Sequence, residues 1–327
     1  MKVQPRVPWQ AKYLALVLIW GSSFLLMKVG LEAMSAVQIS ALRILSGAVV
    51  LLALLLGGGG RLPTGARVWG HLFVCGFFLG ALPFTLFAMS ETRISSALAG
   101  IGNAATPIAT VLATMAILPG ERATGRRLVA VGVGFLGVIT IMQPWTATDR
   151  PDLLGFSMAL IGGASYGVGW TYNRRFLSGV DLGGLSQPTA TLLTALVLIV
   201  PFVVGWALLQ PEGLAAIWAY DTAGAWPWLP LLCVLVLGVV GTGFAYMLQF
   251  DVVRGAGPVI GSTITYLIPV VSVLLGVLVL GEHLGPWQLV GFVIVLGAAF
   301  VINQRPATRP PTQATASDVV EVPTTAR

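Results

Sequence analysis

Long apolar stretches recur along the 327-residue chain, and short polar segments separate them. A helical crossing of a hydrocarbon layer takes roughly 20 apolar residues. Lipid offers no partner to backbone polar groups, so stretches this long and without strict alternation predict helices rather than barrel strands. Ten such stretches occur, at about residues 13–29, 37–56, 68–89, 96–118, 128–142, 154–172, 188–209, 228–250, 258–280 and 287–301.

Composition supports a membrane environment, because 56% of the residues are hydrophobic and only 9% are charged. Soluble domains carry about 25% charged residues. We therefore predict an all-α integral membrane protein with ten transmembrane helices. The first stretch follows basic residues as in a signal peptide, but nine similar stretches follow it, so we expect it to be retained. Residues 304–327 are rich in Thr and Pro and lack apolar periodicity, which predicts a disordered cytoplasmic tail.

The distribution of positive charge predicts the orientation. Of the 18 Lys and Arg residues, 14 fall on one set of alternate loops, whereas Lys28, Arg93 and Arg150 fall on the other. By the positive-inside rule the first set is cytoplasmic, which places both termini in the cytoplasm of a multi-pass protein of the cytoplasmic (inner) membrane. The formal net charge of +6 therefore reflects orientation, and we expect no nucleic-acid partner.

The two halves of the chain are related by an internal repeat. We place the first repeat at residues 1–150 and the second at 151–303. A repeat of five crossings starts on one side and ends on the other, so its copy runs inverted through the bilayer, as in many alternating-access transporters. The aligned segments are 106–121 with 268–282, Phe84-Thr85-Leu86 with Tyr246-Met247-Leu248, and Trp20, Gly21 and Phe24 with Tyr166, Gly167 and Trp170.

Several of these residues form a pattern that resembles a known family. The Trp20-Gly21-Ser22-Ser23-Phe24 segment, Arg43 in the second stretch and the two Pro to Gly-Glu segments are similar to the ten-helix drug/metabolite transporter (DMT) superfamily, and within it to the EamA-type transporters. The resemblance covers residues 11–303. It implies efflux of amino acids, other metabolites or drugs across a cytoplasmic membrane. The second half lacks a counterpart of Arg43 and of Trp-Gly-Ser.

Two prolines lie in the middle of equivalent stretches. They are Pro107 and Pro269. Proline removes the hydrogen bond to the carbonyl four residues earlier, which is that of Asn103 for Pro107 and that of Thr265 for Pro269. Unpaired backbone at that depth is tolerated where it faces protein or a water-filled cavity, so a pair of such positions would suit a substrate with hydrogen-bonding groups. The alternative is that each proline only kinks its helix.

We expect a central cavity formed by the first, third, fourth, sixth, eighth and ninth helices. Aromatic side chains would give it flat apolar walls with polar tips, although aromatic residues in apolar helices are more often in the core or against lipid. The candidate substrate-binding residues are Trp20, Ser23, Arg43, Phe84, Asn103, Pro107, Tyr166, Trp170, Tyr246, Thr265, Tyr266 and Pro269.

Arg43 is the one charge well inside a stretch, and intramembrane ionisable groups are usually functional. It either pairs with an anion or carboxylate of the substrate, or extends to the outer headgroups or to Glu32 or Glu91. Lys28 at a helix end fits an interfacial anchor, and Glu121 and Glu282, on opposite membrane faces, fit helix capping or loop ordering. No carboxylate lies in the middle of a stretch, so the sequence does not support a proton relay.

We predict no enzymatic activity, no catalytic residue, no metal and no cofactor. Gly132-x-Gly134-x-x-Gly137 and Gly163-x-Ser165-x-Gly167 match soluble-enzyme motifs, but they lie in apolar helices, where glycine instead allows close helix packing. The expected partners are a small-molecule substrate and the lipid bilayer. A membrane-embedded enzyme and a passive channel are the alternatives, and the oligomeric state, the coupling ion and the direction of transport stay open.

Overall fold

The computed structural model describes residues 8–118, 125–143, 152–180, 182–221, 228–256 and 258–303. Helices α1 to α10, a 3-10 helix at Gly213–Trp218 and the turns between them make up these residues, and no strand occurs within them. Each of the ten predicted apolar stretches is helical. The bounds are α1 Trp9–Gly21 with Ser23–Gly30, α2 Ala36–Gly57, α3 Ala66–Gly76 with Phe77–Ala81 and Leu82–Glu91, α4 Ser96–Gly102 with Asn103–Ala105 and Thr106–Ile117, α5 Gly125–Met142, α6 Leu153–Phe176, α7 Ser186–Leu208, α8 Trp228–Gly238 with Val239–Phe244 and Ala245–Ala256, α9 Pro258–Leu280 and α10 Pro286–Asn303.

Seven of these helices, α1 to α4 and α6 to α8, are long and apolar enough to cross a membrane. Three shorter apolar helices, Leu128–Met142, Leu267–Leu280 and Pro286–Val301, lie in α5, α9 and α10. Large apolar side chains on the outside of the bundle are exposed, as on a protein surrounded by lipid. The membrane-type, all-helical fold agrees with the prediction. The ten-crossing inverted topology stays a prediction, and the predicted tail at 304–327 lies outside the described residues.

Polar contacts join helix ends that the loop charges assign to the same side of the membrane. Lys12 in α1 forms an ion pair with Asp251 in α8 at 2.5 Å, on the predicted cytoplasmic side. On the predicted outer side, Arg93 after α3 pairs with Asp152 before α6 at 3.3 Å. Glu282, just after α9, accepts hydrogen bonds from the backbone N–H groups of Ser96 and Ala97 at the start of α4. Glu282 therefore caps a helix, as the sequence predicts; Glu121 lies outside the described part.

Helices α3 and α8 each contain a π-helical turn, at Phe77–Ala81 and Val239–Phe244. Phe84 and Tyr246 are aligned in the two halves, and the same number of residues separates the starts of the two π turns. The two turns therefore lie at equivalent positions of the aligned halves. Such turns shift the backbone hydrogen bonds by one residue and occur often at functional sites. The backbone irregularity of one half therefore recurs in the other.

Glycines next to these turns allow helices to touch. A Cβ atom on Gly76 in α3 would overlap Thr194 in α7, and one on Gly238 in α8 would overlap Ser46 in α2. Gly76 and Gly238 are also equivalent in the alignment. Small residues at such contacts let backbones approach closely, which drives helix association in lipid.

The two glycine sets that resemble enzyme motifs serve mainly in packing. Cβ atoms on Gly134 and Gly137 would crowd Ile108 and the α10 backbone, and one on Gly163 or Gly167 would crowd the backbone of α4. Gly132 differs, because nothing lies within 4 Å of its Cβ position. Close packing therefore explains every glycine of the two sets except Gly132.

We predict that Gly167→Ala destabilises the protein. The new methyl group would lie 2.6 Å from the backbone nitrogen of Thr110 and 2.8 Å from the carbonyl oxygen of Thr106. Both are backbone atoms of α4, so they cannot move aside as the end of a flexible side chain could. Overpacking of this kind costs about 1–3 kcal/mol. Thermal unfolding in detergent micelles should show a lower midpoint. Gly132→Ala is the matched control and should keep or raise the midpoint, because alanine favours a helix by up to about 1 kcal/mol over glycine. Equal midpoints for the two variants would contradict the packing role of Gly167.

Candidate substrate-binding site

Arg43 lies in the middle of the bundle, on the first half of α2, and is only 6% exposed. Its Nε donates a hydrogen bond to Thr242 Oγ1 in the α8 π turn at 3.1 Å. Thr242 Oγ1 in turn donates to the carbonyl of Leu237. The guanidinium carbon lies 3.9 Å from the centre of the Phe84 ring in α3, a cation–π contact. Three helices therefore hold one buried positive charge.

This geometry decides between the interpretations of Arg43 that the sequence leaves open. The side chain is buried, so it does not extend to the headgroups. It forms no ion pair with Glu32, Glu91 or another carboxylate of the described residues. Its two terminal amino groups also make no hydrogen bond within the described part of the chain. Because a buried charge is costly unless it is paired, these amino groups are suited to bind an anionic group.

Aromatic residues from both halves surround Arg43. Phe84, Tyr166 and Tyr246 belong to one buried cluster. The Tyr246 hydroxyl donates to the carbonyl of Leu79 in the α3 π turn at 3.0 Å, and Trp20 Nε1 donates to the carbonyl of Gly241 in the α8 π turn at 3.1 Å. Each π turn thus receives an aromatic donor from the opposite half of the chain.

Six of the twelve predicted site residues meet in this region, which we call the Arg43 site. Gly241, whose carbonyl accepts the hydrogen bond from Trp20, also lies close to Ser23. A Cβ atom on Gly241 would be 3.4 Å from Ser23 Oγ. The six are Trp20, Ser23, Arg43, Phe84, Tyr166 and Tyr246. Trp170 packs elsewhere, with Leu72, Cys75 and Leu79, in a cluster that Tyr166 also joins.

The two central prolines have different local structures. At Pro107, α4 changes to a 3-10 turn at Asn103–Ala105 before it continues. The freed carbonyl of Asn103 accepts a hydrogen bond from Thr106 Oγ1 at 2.8 Å, and Asn103 packs against Gly163 of α6. This bonding to a neighbour agrees with the kink interpretation for Pro107.

Pro269, in contrast, lies inside the continuous helix α9 and is buried. Thr265 is half-buried, and the Tyr266 side chain lies outside the described part. A shared role of the two prolines in binding a substrate stays a prediction.

Sequence reasoning did not single out Thr242 and did not predict the surroundings of Glu91 and Lys28. Thr242 carries no signal beyond its place between two glycines, and only the fold brings it to Arg43. Glu91, the last residue of α3, is fully buried although it lies two residues beyond the predicted stretch. Lys28 is not merely an interfacial anchor, because its Nζ donates to the carbonyls of Glu91 and Ile94 at 2.8 and 3.2 Å. Burial at a helix end depends on the neighbouring helices, which a stretch of sequence does not reveal.

A cavity of about 460 Å³ lies away from the Arg43 site. It is bounded by the turn between α1 and α2 and by the segment after α7, including Glu32, Gln38, Glu212 and Asp221. Arg43 is not among its lining residues. This cavity is therefore separate from the buried charge of Arg43.

Comparisons with known proteins agree with this architecture. A model of the EamA-like transporter family matches residues 9–143 and 153–304, one match in each half. The inner membrane transporter YedA of Escherichia coli (strain K12) is 24% identical over 297 residues, which are 90% of this chain and 90% of YedA. A probable amino-acid metabolite efflux pump of the same organism is 24% identical over 291 residues, 88% of this chain and 92% of the pump.

A solved crystal structure of a protein with 21% sequence identity shares the fold. It superposes with a TM-score of 0.58 and covers 90% of this chain and 95% of its own chain. The helical arrangement described above therefore has an experimental counterpart.

We predict that Tyr246→Phe lowers stability, because the Leu79 carbonyl loses its aromatic donor in a water-poor interior. Hydrogen bonds between membrane helices contribute about 0.6 kcal/mol on average and up to about 1.7 kcal/mol. Thermal unfolding in detergent should show a lower midpoint. Tyr220→Phe is the matched control, since the half-buried Tyr220 hydroxyl has no hydrogen bond in the described residues. An unchanged midpoint for Tyr246→Phe would show that the bond across the halves adds no stability.

Proposed function

This chain belongs to the EamA-like transporter family, and from that premise we propose that it exports small carboxylate-bearing metabolites, such as amino acids, by alternating access around the Arg43 site. We place it in the cytoplasmic membrane, with both termini in the cytoplasm. The family membership establishes a transporter; the substrate class, the direction and the mechanism are our proposal.

Recurring structural features support ten crossings in two inverted repeats. The family model matches each half separately. The π turns, the neighbouring glycines and the carbonyls that accept the aromatic donors, those of Leu79 and Gly241, occur at equivalent positions of both halves. Contacts between helix ends also pair only ends that this topology assigns to one side. A repeat with an odd number of crossings is inverted, and inverted repeats commonly build a central site that opens to alternate sides.

The observation that carries the proposal is the buried, unpaired guanidinium of Arg43. Arginine presents planar N–H donors that match a carboxylate in a bidentate pair. Thr242 and Phe84 fix the Nε side and one face of the group. Its two terminal amino groups are left for a ligand. A substrate carboxylate would then neutralise the charge that the resting protein keeps buried.

The surroundings of Arg43 favour a small, partly apolar substrate. Phe84, Tyr166 and Tyr246 provide aromatic surfaces, and small-molecule sites typically combine such walls with a few placed polar groups. The probable amino-acid metabolite efflux pump among the relatives supports this substrate class. Metabolite anions without an amino group would satisfy the same guanidinium, so the carboxylate is the essential feature of the substrate.

We predict that Arg43→Gln strongly reduces saturable transport of amino acids. Removing one partner of a buried charge pair typically costs about 2–5 kcal/mol, and 1.4 kcal/mol corresponds to a tenfold change. Radiolabelled amino acids, tested one at a time, would be loaded into liposomes that contain purified protein, and saturable efflux and counterflow would be measured. The kcat/KM of a transported amino acid should fall by at least about tenfold in the variant.

Amino-acid amides make the test specific for the carboxylate. The wild-type protein should prefer the acid to its amide, and Arg43→Gln should lose this preference. Arg93→Gln is the matched control, because Arg93 is exposed and pairs with Asp152 at the surface. Wild-type rates in Arg43→Gln would refute the Arg43 site. Flux that never saturates in the wild-type protein would instead favour a passive channel.

A further inference from the structure

Glu91 is a buried carboxyl group that the proposed transport site does not use. It ends α3, is 0% exposed, and lies where α1, α3 and the start of α4 meet. Neither of its side-chain oxygens has a hydrogen-bond partner among the residues that the structure describes. Buried polar groups in native structures are nearly always hydrogen-bonded, so this carboxyl group requires an explanation.

The charged groups that face Glu91 all have other partners. They are Lys28 from α1, Arg43 from α2 and Glu282 from the end of α9. Lys28 donates to main-chain carbonyls, one of them that of Glu91 itself, and its Nζ does not lie within 4.0 Å of the Glu91 carboxylate. Arg43 is bonded to Thr242, and Glu282 is bonded to Ser96 and Ala97. The nearby Arg93 and Asp152 pair with each other at the surface.

An ionised carboxylate in this position would be buried without a partner. Burial of an isolated charge costs several kcal/mol even after relaxation, whereas a neutral carboxylic acid costs far less. In this conformation the unpartnered burial of Glu91 therefore favours the neutral, protonated form over the ionised form.

We propose that Glu91 is a proton-binding site that keeps the predicted outer ends of α1, α3, α4 and α9 closed while it is protonated. When these ends separate, water reaches Glu91, its O–H bond breaks and the proton passes to the outer solution. The electron pair stays on the carboxylate, which then forms an ion pair with Lys28 Nζ after this amine leaves the carbonyls. Closing the outer ends takes up one proton again.

This gate gives the transporter a dependence on outer pH. Acid on the outer side protonates Glu91 and favours the closed outer face, so efflux falls as the outer pH falls. One proton limits the steepness to about tenfold per pH unit. The gating role rests on the proposed exporter function, whereas the binding of a proton by Glu91 does not.

Infrared difference titration of the purified full chain in lipid tests proton binding without any substrate. The wild-type protein should show a carboxylic acid C=O band at neutral pH. The band should be absent in Glu91→Gln and present in Glu32→Gln, which changes an exposed carboxyl group four residues after Lys28. A carboxylic acid band equally strong in Glu91→Gln would overturn the proposal, because Glu91 would then be ionised in the folded protein.

The gating role is tested by efflux of a transported radiolabelled amino acid from liposomes at a series of outer pH values. Wild-type and Glu32→Gln efflux should fall with outer pH, and efflux by Glu91→Gln should be slow and independent of outer pH. A wild-type pH profile in Glu91→Gln would overturn the gate.

Lys28→Gln provides a second variant in case Glu91→Gln does not fold. Loss of the amine removes the partner of ionised Glu91, so the pH profile should move to higher outer pH. An unmoved profile would contradict the pairing of Lys28 with Glu91. If no amino acid is transported at all, the exporter proposal fails while the infrared result still decides whether Glu91 binds a proton.

Discussion

Backbone polar groups in a lipid interior have to find their partners inside the protein, and this constraint organises the centre of the bundle. The π turns of α3 and α8 shift the regular hydrogen bonds, and the carbonyls of Leu79 and Gly241 accept aromatic donors from the opposite half. The bond from Trp20 fixes the turn that carries Thr242, the next residue after Gly241. Thr242 in turn holds Arg43. The position of the buried charge therefore follows from backbone hydrogen bonding.

The helices were predictable because lipid imposes a simple rule on sequence, whereas the repeat stays a prediction. A crossing requires an apolar stretch of known length, and glycine or aromatic residues at matched positions reveal the duplication. Arg43 was predictable as a candidate since a lone charge inside such a stretch is rare. Its environment was not predictable, because the choice between a substrate, the headgroups and Glu32 or Glu91 depends on which helices surround α2.

Pro107, Thr242 and Glu91 show where sequence reasoning stops, each for a physical reason. Pro107 follows a 3-10 turn that interrupts α4, whereas its equivalent Pro269 lies in a continuous helix. The same residue type at equivalent positions therefore does not guarantee the same backbone conformation. Thr242 becomes important only through contact with a residue from the other half. Glu91 lies beyond the apolar stretch of α3, where polar residues normally face water, and only the packing of α1 and α4 buries it.

The two aligned halves also differ at the position of Arg43. Gly238 of α8 packs against the carbonyl of Arg43, and its equivalent Gly76 of α3 packs against the carbonyl of Thr191. Thr191 thus occupies in α7 the place that Arg43 occupies in α2. A neutral, buried residue at this position leaves the second half without a counterpart of Arg43. In our proposal the repeat supplies the symmetric frame for alternating access, and the departure from symmetry at Arg43 confines the proposed carboxylate binding to one site.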